Sequence, residues 1–179
     1  MKVITYSLRL SLTTALILLA AWLEPAGSAG LGTGTYLPKS AVSRVGLSFV
    51  ASLAKNVVSR EEPITLKLTL TNNTKKEIVV VESNPLADYK IDVRHGLGTR
   101  APPTPEGKDL LFRSQWGGRR LSVTIAPGES KTDSFRVNRI YAMTNPGSYT
   151  ITASRRALLH IGRPWIELRS NKVKVTVLR

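Results

Sequence analysis

Arg113, Trp116, Arg119 and Arg120 fall within eight residues, with Gly117-Gly118 between them. Guanidinium groups are fork-shaped donors for carboxylate, phosphate or sulfate. A tryptophan face stacks on a sugar or an arginine, and glycine lets a ligand come close to the backbone. These residues make a candidate ligand-binding site for an anion. The competing assignment has Trp116 tucked under its loop and the arginines solvated. Arg155-Arg156, with Arg163 near Trp165, form a second basic grouping of the same kind.

Residues suited to catalysis are sparse. His95 and His160 lie 65 positions apart, without the acidic or histidine neighbours of a zinc site. Each reads as a surface or packing histidine. Ser52-Leu53-Ala54-Lys55 has the S-x-x-K spacing of penicillin-interacting enzymes, but it continues a strand pattern and lacks the companion S-D-N and K-T-G motifs. There is no G-x-S-x-G elbow. Asp88 and Asp92 share parity with Lys90 and read as a solvated face. Gly30-Leu31-Gly32-Thr33-Gly34 precedes no helix, so it is no phosphate loop. Asn72-Asn73-Thr74 has the form of a glycosylation sequon, at a place where a turn also calls for Asn and Thr. The sequence has no cysteine, which removes disulfides and thiolate sites. The expectation is a protein that is not an enzyme, with no catalytic residues, no metal site and no cofactor.

The elements that position these residues are strands. Residues 1–29 carry Lys2 and Arg9, an apolar run from Leu10 to Leu23 and the small residues Gly27-Ser28-Ala29, the layout of a signal-peptide helix with a cleavage site. The run is shorter than the roughly 20 residues that span a bilayer. No second long apolar run follows, so no transmembrane span is expected after cleavage. Residues 30–42 read as a flexible linker and 43–179 as one domain. Cleavage after Ala29 would change the formal charge of +14 to about +13, by removing Lys2, Arg9 and Glu24. Such a balance attracts polyanions, and export disfavours nucleic acid among them.

Ile64, Leu66, Leu68 and Leu70 alternate with Thr65, Lys67, Thr69 and Thr71, the pattern of a sheet with one face on the core and one in water. Alternation recurs over residues 44–53, 89–94, 121–125, 134–137 and 171–178, and Ile78 to Val81 within 77–82 is a continuous apolar run too short for a helix. Gly96 to Arg120 reads as a long irregular stretch, with Leu110-Leu111-Phe112 packing as a short edge segment. Asn145-Pro146-Gly147 is a turn into a strand in which Tyr149, Ile151 and Ala153 share a face. A tyrosine just after such a turn is where an immunoglobulin-type sandwich places its tyrosine corner. Tyr149 should therefore be buried, with its hydroxyl on nearby backbone. The expected fold class is all-β, an immunoglobulin-like antiparallel β-sandwich of about seven to nine strands.

Val123 to Ala153 resembles bacterial immunoglobulin- or fibronectin-like modules. Its Pro127-Gly128-Glu129 turn and Gly147-Ser148-Tyr149 strand look like those of the bacterial intracellular proteinase inhibitor family. That resemblance implies a sandwich fold and, as the alternative function, a secreted protease inhibitor. It transfers no inhibitory residues, and the export signal and long loop depart from the family's pattern. The leading expectation is a noncatalytic exported module, periplasmic or secreted, that binds or scaffolds envelope or extracellular components. Its partner would be a protein or an anionic polysaccharide or other envelope component.

Overall fold

The computed structural model describes residues 46–96, 98–116, 118–157 and 166–179. The expected signal segment and linker, Gly117, His160, Arg163 and Trp165 lie outside the described residues. The strands are β1 (Leu47–Leu53), β2 (Val57–Val58), β3 (Thr65–Asn72), β4 (Ile78–Glu82), β5 (Tyr89–His95), β6 (Leu121–Ile125), β7 (Ser130–Arg136), β8 (Gly147–Ala157), β9 (Ile166–Arg169) and β10 (Val173–Val177). Three short helices intervene: α1 (Pro85–Asp88), α2 (Pro105–Gln115) and α3 (Val137–Ile140).

Alternation decides which faces are covered. In β3 the side chains of Leu66, Leu68 and Leu70 are fully buried, while Lys67 is exposed. Each such burial contributes about 1.5–3 kcal/mol, which fixes the register, because a one-residue slip would turn all three to water. β3 lies between β1 and β7, both antiparallel to it. The second sheet has the order β2-β10-β8-β5, with β9 also on β8. β2 runs parallel to β10 and every other pairing in the sheet is antiparallel. β4 and β6 form a separate two-stranded ribbon.

One core lies between the two larger sheets. Phe49 of β1 stacks on Tyr89 of β5 at 5.8 Å between ring centroids, and Phe135 of β7 meets the same tyrosine edge-on at 5.5 Å. The early strands divide between the sheets, and the last long pair, β8 and β10, are antiparallel neighbours. This is an immunoglobulin-like β-sandwich. Asn171 ties its sheets at one edge. Its side-chain amide accepts from the Ala51 N–H at 2.8 Å and donates to the Ala51 carbonyl at 3.0 Å. It thus pairs part of the outer edge of β1, a row of groups otherwise open to pairing.

Tyr149 is 2% exposed, and its hydroxyl donates to the Asn145 carbonyl at 2.9 Å. That is the geometry of a tyrosine corner. Gly147, which opens β8, has a φ of +133°, and a Cβ there would lie 2.8 Å from His95 Nε2. The Pro127-Gly128 turn closes when Glu129 N–H donates to the Ala126 carbonyl, with Gly128 at a φ of +79°. Asn72 is fully buried. Its Nδ2 donates to the Lys76 and Ile125 carbonyls, and its Oδ1 accepts from the N–H and hydroxyl of Thr74. A glycan has no access to it in this fold.

The stretch from Gly96 to Arg120 is not irregular throughout. It contains α2, capped by Thr104, whose hydroxyl accepts from the Gly107 N–H at 2.8 Å, with Pro105 in the first turn. Pro105 belongs there because that position has no intrahelical bond to lose. Leu110 to Phe112 are therefore helical and not an edge segment. Gly107 sits against α3, where a Cβ would overlap the Ile140 carbonyl oxygen. Val137 also departs from expectation, since it begins α3 instead of extending β7. Asp88 ends α1 and accepts from the N–H and hydroxyl of Ser83, so it shares no strand with Lys90.

Candidate functional site

α2 determines where the predicted site residues go. Phe112 and Trp116 lie four positions apart, on one side of the helix end, and their rings meet edge-to-face at 5.9 Å. Trp116 is 77% exposed and Phe112 57% exposed. Trp116 is thus not tucked under a loop. Arg113, on the last turn, is held by Asp109 at 3.0 Å. Arg119 and Arg120 follow outside any helix or strand, both exposed, leading into β6. The helix end therefore gathers an aromatic pair and three arginines, one of them already paired with a carboxylate.

Beside this cluster lies a cleft of about 820 Å³ between α1, β5 and α2, which Arg120 and Arg156 both line. Leu86, Leu111 and Tyr141 supply apolar wall. Gly118 also lines it, next to the backbone of Ser83 and Asn84. The predicted pair Arg155-Arg156 is divided by strand parity. Arg156 faces outward into the cleft, and Arg155 turns into the core.

Arg155 is 1% exposed and belongs to a charged cluster reaching four strands. One guanidinium nitrogen donates to Glu82 Oε1 at 2.9 Å, and another to the Tyr89 hydroxyl at 2.8 Å. Tyr89 in turn donates to Asp133 Oδ2 at 2.6 Å, and Lys131 pairs with the other Glu82 oxygen. The guanidinium carbon lies 5.0 Å from the centroid of the Tyr89 ring. Two cations face two carboxylates, so the formal charge cancels inside the sandwich. Burial pushes the Tyr89 phenol far above its ordinary range, against the pull of Arg155, and burial lowers Lys131. Arg155 Nε is the only buried side-chain polar atom among the described residues that lacks a hydrogen-bond partner. Glu82 and Tyr89 also line the cleft, so two members of this cluster contribute to its wall.

The signal for this cluster was parity. Arg155 shares the face of Tyr149, Ile151 and Ala153, while Lys131 and Asp133 share that of Phe135, and Glu82 that of Ile78 and Val80. A charge on a core-facing position needs a buried partner.

The other residues singled out in the sequence are not brought together. His95 ends β5, edge-on to Tyr149 at 5.0 Å between ring centroids. Ser52 lies on β1 opposite Lys67, and Lys55 pairs with Glu62. Asp92 is shared by Arg94 and Arg100 at 2.7 Å each, which hold its carboxyl below the usual range. Among the described residues, no three His, Asp or Glu side chains are grouped to hold a metal ion.

An immunoglobulin-like sandwich with a basic, aromatic-tipped helix end and an adjoining cleft is what the fold and site define. No family model matches the chain, and no curated protein matches it in sequence. Among solved structures it is similar to the CARDB domain of a Pyrococcus furiosus protein in complex with di-metal ions, at 15% identity and a TM-score of 0.37 over 74% of this chain and 87% of that one. It is also similar to the sporulation control protein Spo0M of Bacillus subtilis, at 12% identity and a TM-score of 0.39, over 75% of this chain and 50% of that one. A third is the alkylpurine DNA glycosylase AlkC of Pseudomonas fluorescens, at 14% identity and a TM-score of 0.37, over 75% of this chain and 31% of that one.

Proposed function

We propose that this chain is a noncatalytic exported module that binds an anionic component of the bacterial envelope or extracellular space at the end of α2. The observation that carries the reading is the exposed Phe112–Trp116 pair on the helix that also walls the cleft, followed closely in the chain by Arg119 and by Arg120, which lines that cleft. Large aromatic side chains left in water and flanked by arginine are the composition of binding surfaces. The formal charge of +14 and the export-like pattern of residues 1–29 support the ligand class and the location. Arg113 contributes less, because Asp109 already occupies it.

The test is retention on heparin across a salt gradient. The protein should bind at low salt and elute as salt rises, and Arg119→Gln with Arg120→Gln should elute markedly earlier. Flow-through at low salt would sink the reading. Protease inhibition, implied by the resemblance at Pro127-Gly128-Glu129 and Gly147-Ser148-Tyr149, rests on stretches that serve turns of the sandwich. Titration against a panel of proteases tests it, and inhibition at micromolar concentration would move the function there.

A further inference from the structure

The cleft at α2 continues past β5. Lys90 and Arg156 also line a depression of about 340 Å³. That depression shares Lys90, Ser154 and Glu167 with a third of about 370 Å³, which reaches Arg169 and Lys172. Shared walls put the three side by side, a track that runs from the open edge of β5 onto the outer face of the five-stranded sheet. Strand register sets its order. Lys90 stands opposite Ser154, and Ser154 opposite Arg169. Successive strands are about 4.8 Å apart, so polar side chains recur along the groove at a spacing short enough to follow an extended chain.

Charge in the groove is not balanced. Three of the four carboxylates that line it are paired with a cation: Asp92 with Arg94 and Arg100, Glu167 with Arg169, and Glu82 with Arg155 and Lys131; the fourth, Asp88, accepts from the neutral Ser83 and keeps its charge. Lys172, Lys90, Arg156 and Arg120 have no carboxylate within 4.0 Å among the described residues. The outer face of the other sheet carries two unpaired cations among the described residues, Lys67 and Arg136, and it is otherwise mostly a face of hydroxyls. Its hydroxyls pair with one another, Thr69 with Thr132 at 2.9 Å and Thr71 with Ser130 at 2.7 Å. Four unpaired cations thus line the track, twice as many as the two on the opposite face.

We infer that this groove binds a linear acidic polysaccharide laid across the strands, an assignment that rests on the anion-binding reading above and extends it. Carboxylates or sulfates of successive sugars would meet Lys172, Lys90, Arg156 and Arg120 in turn. Thr152 and Ser154 supply hydroxyl partners, and Trp116 offers a face to the sugar at the α2 end. Single-stranded nucleic acid calls for aromatic platforms along its path, and among the described residues the part of the track over the sheet carries no exposed aromatic. A lipid surface would meet the protruding Phe112 and Trp116 but not the floor of a concave track.

Heparin oligosaccharides of graded length, titrated calorimetrically against the full chain, test the assignment. Affinity should climb with length and then level off when the track is filled. Lys90→Gln with Arg156→Gln should weaken long chains by roughly tenfold or more and reduce the salt slope by about one for each cation removed. Lys172→Gln should weaken long chains and leave the shortest unchanged. All three are exposed positions, and glutamine avoids placing a carboxylate opposite Glu167; unchanged melting temperatures would show that folding is intact. If the Lys90 and Arg156 changes have no effect while the Arg119 and Arg120 changes remove binding, the helix-end site stands and the groove assignment falls. No dependence on chain length overturns it too. So does tighter binding of single-stranded DNA or anionic phospholipid vesicles with the same sensitivity to the groove substitutions. Absence of heparin binding by the unaltered protein would remove both readings.

Discussion

Replacing Arg155 and breaking its pairing should have very different costs. In Glu82→Gln the buried guanidinium keeps its place but loses the carboxylate at 2.9 Å, and Asp133 reaches it only through the Tyr89 hydroxyl. A buried charge stripped of its partner destabilises by about 3–5 kcal/mol. Lys131 adds little to that cost, because its side chain is 29% exposed and can turn toward water. In Arg155→Met the unbranched stem still fills the space and the buried charge is gone. Lys131 still neutralises Glu82, and Tyr89 still donates to Asp133. The lost charge-assisted bonds, each about 1.5–3 kcal/mol, are largely offset by the desolvation no longer required. The net cost should be below about 2 kcal/mol. Arg155→Ala should return toward about 3–5 kcal/mol, because it also leaves a cavity. Equilibrium urea unfolding, analysed by linear extrapolation, measures all three. The double variant Glu82→Gln with Arg155→Met should be more stable than Glu82→Gln alone. If Arg155→Met costs as much as Glu82→Gln, or Glu82→Gln costs under about 1 kcal/mol, the description of this cluster as a tightly coupled buried pairing is wrong.

Other outcomes follow from single contacts. Gly107→Ala should cost about 1–3 kcal/mol, because the new methyl meets the Ile140 backbone; a shift in the fluorescence assigned to Trp116 would report α2 leaving its seat. Tyr149→Phe should cost about 0.5–1.5 kcal/mol by leaving the Asn145 carbonyl without its donor, read as a lower urea midpoint with an unchanged slope. At alkaline pH the folded protein keeps the Tyr89 proton that the unfolded chain releases near pH 10. That stability is complete below pH 10 and is lost above it, by about 1.4 kcal/mol per pH unit for one such group. Tyr89→Phe should lower overall stability yet flatten the alkaline slope in pH-dependent urea unfolding; an unchanged slope would place the titration at Tyr141 or Tyr149, which burial also raises.

The sandwich was legible because its strands alternate. Leu66, Leu68 and Leu70 in β3, or Val175 and Val177 in β10, allow only one choice of inner face, and Tyr149 needed nothing beyond its own turn. α2 was not legible. Pro102, Pro103, Pro105, Gly107, Gly117 and Gly118 all read as breakers, and its apolar residues Leu110, Leu111 and Phe112 are contiguous instead of periodic. What holds the helix is tertiary, chiefly the close approach of Gly107 to Ile140 and the bond from the Thr104 hydroxyl to the Arg139 carbonyl at 2.6 Å. The helix-end residues were picked out by type, but their exposure depended on that helix. The groove was hidden for a related reason. Lys90, Arg156 and Lys172 come from separate strands, so only the sheet register brings them into one track. Arg155, Glu82 and Asp133 each stand out by parity as charges on core-facing positions, but which of them pair across separate strands does not.

The most direct test of the account is the salt dependence of heparin binding by the full chain, followed by calorimetry or column retention. The account predicts binding at low salt whose affinity falls linearly in the logarithm of salt concentration, with a slope on the order of −3 to −5. That slope should become shallower when Arg119 and Arg120 are replaced by glutamine, and shallower again when Lys90 and Arg156 are also replaced. Binding that does not change with salt, or no binding at low salt, would contradict it.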